Sequence, residues 1–93
     1  MLESEKANER LLGAEVKKLG GWAVKVPAAF ISGLPDRLVL LPGGHLYFVE
    51  MKSEGKKPSP IQRVVHKKLK RLGFEVWIID TKERVLNFID IIG

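Results

Sequence analysis

Apolar and polar positions along the chain follow two periods, and each period predicts an element. Over residues 4–19 the period is helical. At about 100° per residue, Glu5, Glu9, Leu12, Val16 and Leu19 fall in one narrow stripe, while Lys6, Arg10, Lys17 and Lys18 lie opposite. Ser4 is suited to cap this helix and Gly20-Gly21 to end it. The two glutamates carry the core-facing stripe toward the helix N-terminus. Either that end overhangs the core and the acids complement the helix dipole, or one of them enters a site. WAVKV, residues 22–26, is a short strand closed by Pro27, with Lys25 facing away from Val24 and Val26. AAFIS, residues 28–32, is a connection that carries Phe30 and Ile31, both candidates for contact with a second copy. Trp22 shares that candidacy, but an ordinary core position is the expectation for it.

The middle of the chain has a shorter period. Residues 36–41 and 45–51 are two strands joined by Pro42-Gly43-Gly44. Both are apolar on both faces, as in a sheet covered on each side. Alternation places Phe48, Glu50 and Lys52 on one face. Whether Asp36 joins them depends on the turn. A loop with an odd number of residues sets Asp36 opposite Glu50, and a four-residue loop sets it opposite Met51 on the other face. An odd loop, or a bulge at the glycines, is expected.

SEGKKP, residues 53–58, is a polar loop. Ser59 and Pro60 then open a second helix that runs to about residue 72, where Gly73 ends it. Ile61, Val64, Val65, Leu69 and Leu72 are its expected buried stripe, and Arg63, Lys67 and Lys70 recur on its exposed side. His66 is expected at the surface or near a polyanion, and His45 in the turn is expected to be solvated. EVWII, residues 75–79, reads as a buried strand. Its connection to the preceding strand through the helix is a crossover, so the two strands are expected to be parallel and the crossover right-handed. A last helix over residues 82–92 has Val85, Phe88, Ile89 and Ile92 on its apolar face. The order α-β-β-β-α-β-α, without linker or internal repeat, predicts one α/β domain over residues 1–93 with a mixed sheet flanked by helices.

Composition narrows the chemistry. Cysteine is absent, which excludes disulfides, thiolate metal sites and cysteine nucleophiles. Any metal is left to oxygen atoms and the two histidines, which favours a hard cation such as Mg2+ or Mn2+. Sixteen Lys+Arg against eleven Asp+Glu leave a net charge of +5, which fits a polyanionic partner. No apolar run approaches the roughly 20 residues that span a bilayer, and the charged N-terminus has no signal-peptide core. A cytoplasmic protein without a membrane partner is expected. A chain this short buries only about 60% of its unfolded surface, so pairing with a second copy is a natural remedy.

Charges at the mouth of an apolar hairpin then gain a meaning. Phosphodiester hydrolysis requires an activated water, compensation of charge on the phosphorus centre and a stabilised leaving oxygen, and a cation held by carboxylates serves all three. Asp36 and Glu50, on neighbouring strands, are the candidate metal ligands, with the Met51 backbone carbonyl as a third oxygen. Lys52 is placed to orient or deprotonate the water, or to hold the phosphate. Lys25, Lys56, Lys57, Arg63 and Lys67 are candidate contacts to a nucleic-acid backbone. Gln62 has two readings that are compatible. With Ser59 it forms a capping box, and a free end of its amide can face the site.

The residues Glu5, Gly20-Gly21, G-L-P-D at 33–36, V-E-M-K at 49–52, S-P-x-Q at 59–62 and R-L-G-F-E-V at 71–76 resemble the VRR-NUC domains of the PD-(D/E)xK nuclease superfamily. The short stand-alone type found in phages and prophages is the most similar, and the match covers nearly the whole chain. The resemblance implies a restriction-endonuclease-like core and Mg2+- or Mn2+-dependent cleavage of DNA. It makes Asp36 and Glu50 metal ligands, Lys52 the catalytic lysine and Gln62 the helix glutamine beside the site. Glu5 becomes the leading helix acid, with Glu9 as its substitute. It further implies a homodimer acting on branched DNA such as four-way junctions, in a bacterial or phage-infected cytoplasm. Fused members act on flaps instead. The competing reading is a DNA-binding module that keeps the fold without the chemistry; the complete set of Asp36, Glu50 and Lys52 argues for cleavage.

Overall fold

The elements follow one another as α1 (Glu5–Lys18), β1 (Trp22–Lys25), β2 (Arg37–Leu41), β3 (His45–Met51), α2 (Pro60–Arg71), β4 (Glu75–Ile79) and α3 (Lys82–Ile92). They are seen in a computed structural model that describes residues 4–27 and 30–93. Residues 1–3 of the charged N-terminus, and Ala28 and Ala29 of the expected connection, lie outside the described residues. The helix ends are set by local chemistry. The hydroxyls of Ser4, Ser59 and Thr81 each accept a backbone N–H in the first turn of their helix. At α2 the box is complete: Gln62 N–H donates to Ser59 Oγ, and Ser59 N–H donates to Gln62 Oε1 at 2.8 Å.

The four strands form one sheet in the order β1-β2-β3-β4. The first three are antiparallel, and β4 lies parallel to β3, as the crossover through α2 requires. The hairpin register runs from Arg37 opposite Val49 to Leu41 opposite His45, which leaves three residues in the turn. The odd loop is therefore present, and continuing the ladder by one step sets Asp36 opposite Glu50. The ladder itself is one residue shorter than expected at two ends. Asp36 precedes β2 and Val26 follows β1, where the Val26 N–H donates to the Asp36 carbonyl at 2.8 Å.

One face of the sheet is fully covered. Val39, Val49, Met51 and Ile79 point into a core with Leu12 and Val16 of α1 and Val85 and Phe88 of α3, and all are buried. Tyr47 and Trp77 meet the Phe88 ring there, with centroids 5.8 and 5.0 Å away. The opposite face is covered only in part, contrary to the expectation of a sheet buried on both sides. One helix is about 10 Å wide, and four strands spaced about 4.8 Å apart are wider. Here α2 packs toward β4, with Phe48 and Phe74 edge-to-face at 5.5 Å beneath its end.

This partial cover corrects four expectations. Of the α2 stripe, Ile61, Val64 and Leu72 are at least half exposed, Val65 and Leu69 are half-buried, and the buried residue of the helix is His66. Trp22 is 66% exposed, because β1 is the outer strand on the side that α2 does not reach. In β4, the other edge, only Ile79 is fully buried and Ile78 is exposed. Among the described residues, no helix is long and apolar enough to cross a membrane.

Candidate active site

The charged residues gather where β2 begins and β3 ends, with the N-terminal turns of α1 and α2 approaching from opposite faces. Asp36 is fixed first. Its Oδ1 accepts the Met51 N–H at 2.8 Å, a bond across the hairpin that the three-residue turn permits. Its other oxygen lies 3.4 Å from Arg37 Nη1. Arg37 points to the α1 face, where its Nη2 pairs with Glu9 Oε2 at 3.1 Å. The arginine is only 7% exposed, so its two carboxylate partners compensate a charge that burial would otherwise penalise.

α1 brings Glu5 and Glu9 to the same place. One oxygen each from Glu5, Glu9 and Asp36 lie within 4.8 Å of one another. Thus the helix end that carries the two glutamates at the head of the stripe sits beside Asp36. They have different neighbours: Glu9 is engaged by Arg37, while Glu5 feels Glu9, Asp36 and Lys52.

Glu50 is 4% exposed, next to Asp36, Lys52 and Glu5 in the field of the site. Its Oε1 stands 3.4 Å from His66 Nε2. Burial first, then the Asp36 charge, pushes the Glu50 carboxyl up to about 7, against the opposing pull of Lys52. Burial also raises Asp36, in spite of the Met51 N–H and Arg37, and burial with the neighbouring Glu9 and Asp36 raises Glu5. Three acids whose ionised forms are all disfavoured share one small region. A divalent cation would offset that repulsion, and the donors are hard oxygens suited to Mg2+.

Lys52 follows directly in the strand direction, with its N–H donating to the Ile79 carbonyl at 2.9 Å. That bond holds the end of β3 against β4, and its half-buried side chain carries a charge felt by Glu5, Glu50 and His66. Gln62 stands at the head of α2 with its Oε1 committed to the cap. Lys25, Lys56, Lys57, Arg63 and Lys67 are all exposed and do not enter the carboxylate cluster.

Sequence reasoning did not find Arg37, Asn8 or Asp80, and of its two readings of His66, surface or near a polyanion, the first is corrected: His66 is buried. Arg37 had a signal: a charge on the same strand face as Val39 must find an acid, and Glu9 lies on the stripe that packs there. Asp80 is buried at the end of β4. Its carboxylate accepts the Gly55 N–H at 3.0 Å and pairs with Arg84 at 2.8 Å, and its carbonyl accepts from the buried Asn8 amide. It therefore ties the loop after Lys52 to the strand beneath it. His66 had no such signal, because its place one turn beyond Gln62 beside an apolar stripe is equally compatible with solvent.

No family model matches the chain. A protein of Acyrthosiphon pisum secondary endosymbiont phage 1, named "Putative nuclease p44", is 43% identical over 79 residues, which cover 85% of each chain. A solved structure described as a VRR_NUC domain superposes with a TM-score of 0.84 at 32% identity, covering 92% of this chain and 94% of that one.

Proposed function

This chain belongs to the VRR-NUC family of nucleases, and on that premise we propose that it is a Mg2+-dependent DNA endonuclease. The observation that carries the metal dependence is the convergence of the Glu5, Glu9 and Asp36 oxygens beside Glu50 and Lys52. Asp36 and Glu50 would hold the cation, with Glu5 as the helix acid and Glu9 as its substitute. The Met51 carbonyl supports the same set. N–H and C=O of one extended residue point to the same strand edge, and the Met51 N–H is directed at Asp36. Mn2+ would serve in place of Mg2+.

When bound, Mg2+ lowers the pKa of a coordinated water and offsets charge on the scissile phosphate. The chain's own groups do the rest. Lys52 carries a compact cation next to the carboxylates, suited to hold a phosphate oxygen or to orient the attacking water. The Met51 N–H keeps Asp36 from rotating away, and the capping box fixes Gln62 at the head of α2, from where the free end of its amide would face the site. Lys25, Lys56, Lys57, Arg63 and Lys67 are exposed on surrounding elements and would contact the DNA backbone.

The whole of residues 1–93 acts as one domain in this reading, in the cytoplasm of a bacterial or phage-infected cell. Two copies related by a two-fold axis would present two such sites to a branched substrate such as a four-way junction. The test incubates the purified protein with linear duplex, flap and four-way junction DNA, in Mg2+ and in EDTA. Cleavage is expected on branched DNA in Mg2+ alone. Lys52→Ala and Asp36→Asn should lower it by at least 100-fold, on the scale of removing a transition-state contact, while DNA binding persists. Variants that cut like the parent place the site elsewhere. A parent that binds every substrate and cuts none is a DNA-binding module.

A further inference from the structure

His66 is the buried residue of α2, and the chemistry above leaves it unused. It is 5% exposed, and its Nε2 faces Glu50 Oε1 at 3.4 Å. Among the described residues, neither atom has a hydrogen-bond partner. Buried polar atoms are nearly always paired, and these two have been brought face to face by separate elements. At 3.4 Å the two atoms are within hydrogen-bond reach, and what the contact lacks is alignment of the ring N–H with the oxygen. Lys52 and Lys70 are the charged groups that bear on His66 from the sheet and from its own helix. A ring that carries its proton on Nε2 has an N–H to give to that oxygen.

Resting on the nuclease reading of the site, we propose that His66 is a positioning residue. It donates its Nε2–H to Glu50 Oε1 and so presents the second oxygen of that carboxylate to the metal position beside Asp36. A carboxylate with one oxygen tethered loses rotamers that would swing it out of the site. Partners of this kind govern ligand orientation without touching the ion.

The test measures Mn2+ affinity by electron paramagnetic resonance on the intact protein without DNA. It compares the parent with His66→Leu, His66→Gln and Glu50→Gln. His66→Leu, which keeps apolar bulk but has no donor, should weaken Mn2+ binding by about 10- to 100-fold. It should lower kcat while leaving KM for DNA unchanged. His66→Gln, which can reach the same oxygen, should recover most of the loss. If Glu50→Gln loses Mn2+ and His66→Leu binds it as the parent does, the role of His66 is overturned and the site reading stands. If Glu50→Gln also binds like the parent, Glu50 is no ligand and both fall. A Gln variant no better than Leu overturns the donor role. The unsubstituted protein gives a further measurement that does not depend on any variant folding. Long-range 1H–15N spectra with Mg2+ should show His66 protonated on Nε2; protonation on Nδ1 alone overturns the proposal.

Discussion

Glu50 is held where its charge is least welcome. Its carboxyl titrates near 7 in the fold against 4.5 in the unfolded chain. Below pH about 4.5 both states hold the proton, and above about 7 neither does. Between those values the unfolded chain has already ionised and the fold resists, so stability falls as pH rises through the window. The full shift corresponds to about 3 kcal/mol. Glu50→Gln removes the charge and keeps the shape. In EDTA at pH 8 it should therefore be more stable than the parent by about 1–3 kcal/mol, with most of the gain gone at pH 4, while cleavage in Mg2+ is lost. Urea unfolding at the two pH values measures this, and an equal difference at both removes the Glu50 charge as its cause. At this scale the sequence was readable where a charge interrupted an apolar strand. Asp36, Glu50 and Lys52 stood out for that reason. Arg37 offered the same signal, but its role comes from Glu9 on a distant element, and His66 offered none, because its meaning comes from Glu50 alone.

The elements place these residues through two short backbone devices. The three-residue turn sets the register that carries Asp36 to Glu50; parity left an odd and a four-residue loop open, and the expected odd one is present. The second device is Gly33, which parity could not reveal. It has φ +84°, and a Cβ there would stand 2.6 Å from the Ile61 carbonyl and 2.8 Å from the Val65 side chain. The chain entering Asp36 is thus seated against the first turns of α2, which carry Gln62 and His66. Gly44 in the turn has φ +81° with nothing within 4 Å of a Cβ. Gly44→Ala should cost only backbone strain, about 1 kcal/mol, or roughly 4–8 °C in Tm, and leave cleavage near the parent rate. Gly33→Ala adds a clash between the approach to Asp36 and α2. It should lower Tm further and reduce kcat as well. Thermal unfolding and cleavage assays of the pair separate the two roles; equal effects on kcat refute the proposed seating. Helix boundaries and strand pairing were legible from period, caps and glycines. The coverage of the sheet was not, because periodicity identifies an apolar face without saying which element covers it.

That uncovered face bears on the whole molecule. Phe30 is 76% exposed, Ile31 60%, Val64 62% and Trp22 66%. Gly33 packs against Ile61 and Val65, so the segment that follows Phe30 and Ile31 meets the first turns of α2. Apolar residues of this size gain about 1.5–3 kcal/mol each when removed from water, and a chain with so small a core has few other sources of stability. A second copy seated there would also set two carboxylate clusters in one particle, as the proposed action on junctions requires. Sedimentation of the parent at micromolar concentration should then give about twice 10.5 kDa. Ile31→Asp combined with Val64→Asp introduces charge without touching the core. It should return the mass to 10.5 kDa with the α/β spectrum retained, and convert paired cuts across a junction into single nicks. A parent that sediments as a monomer, or a double variant that remains paired, assigns this face to something other than a second copy.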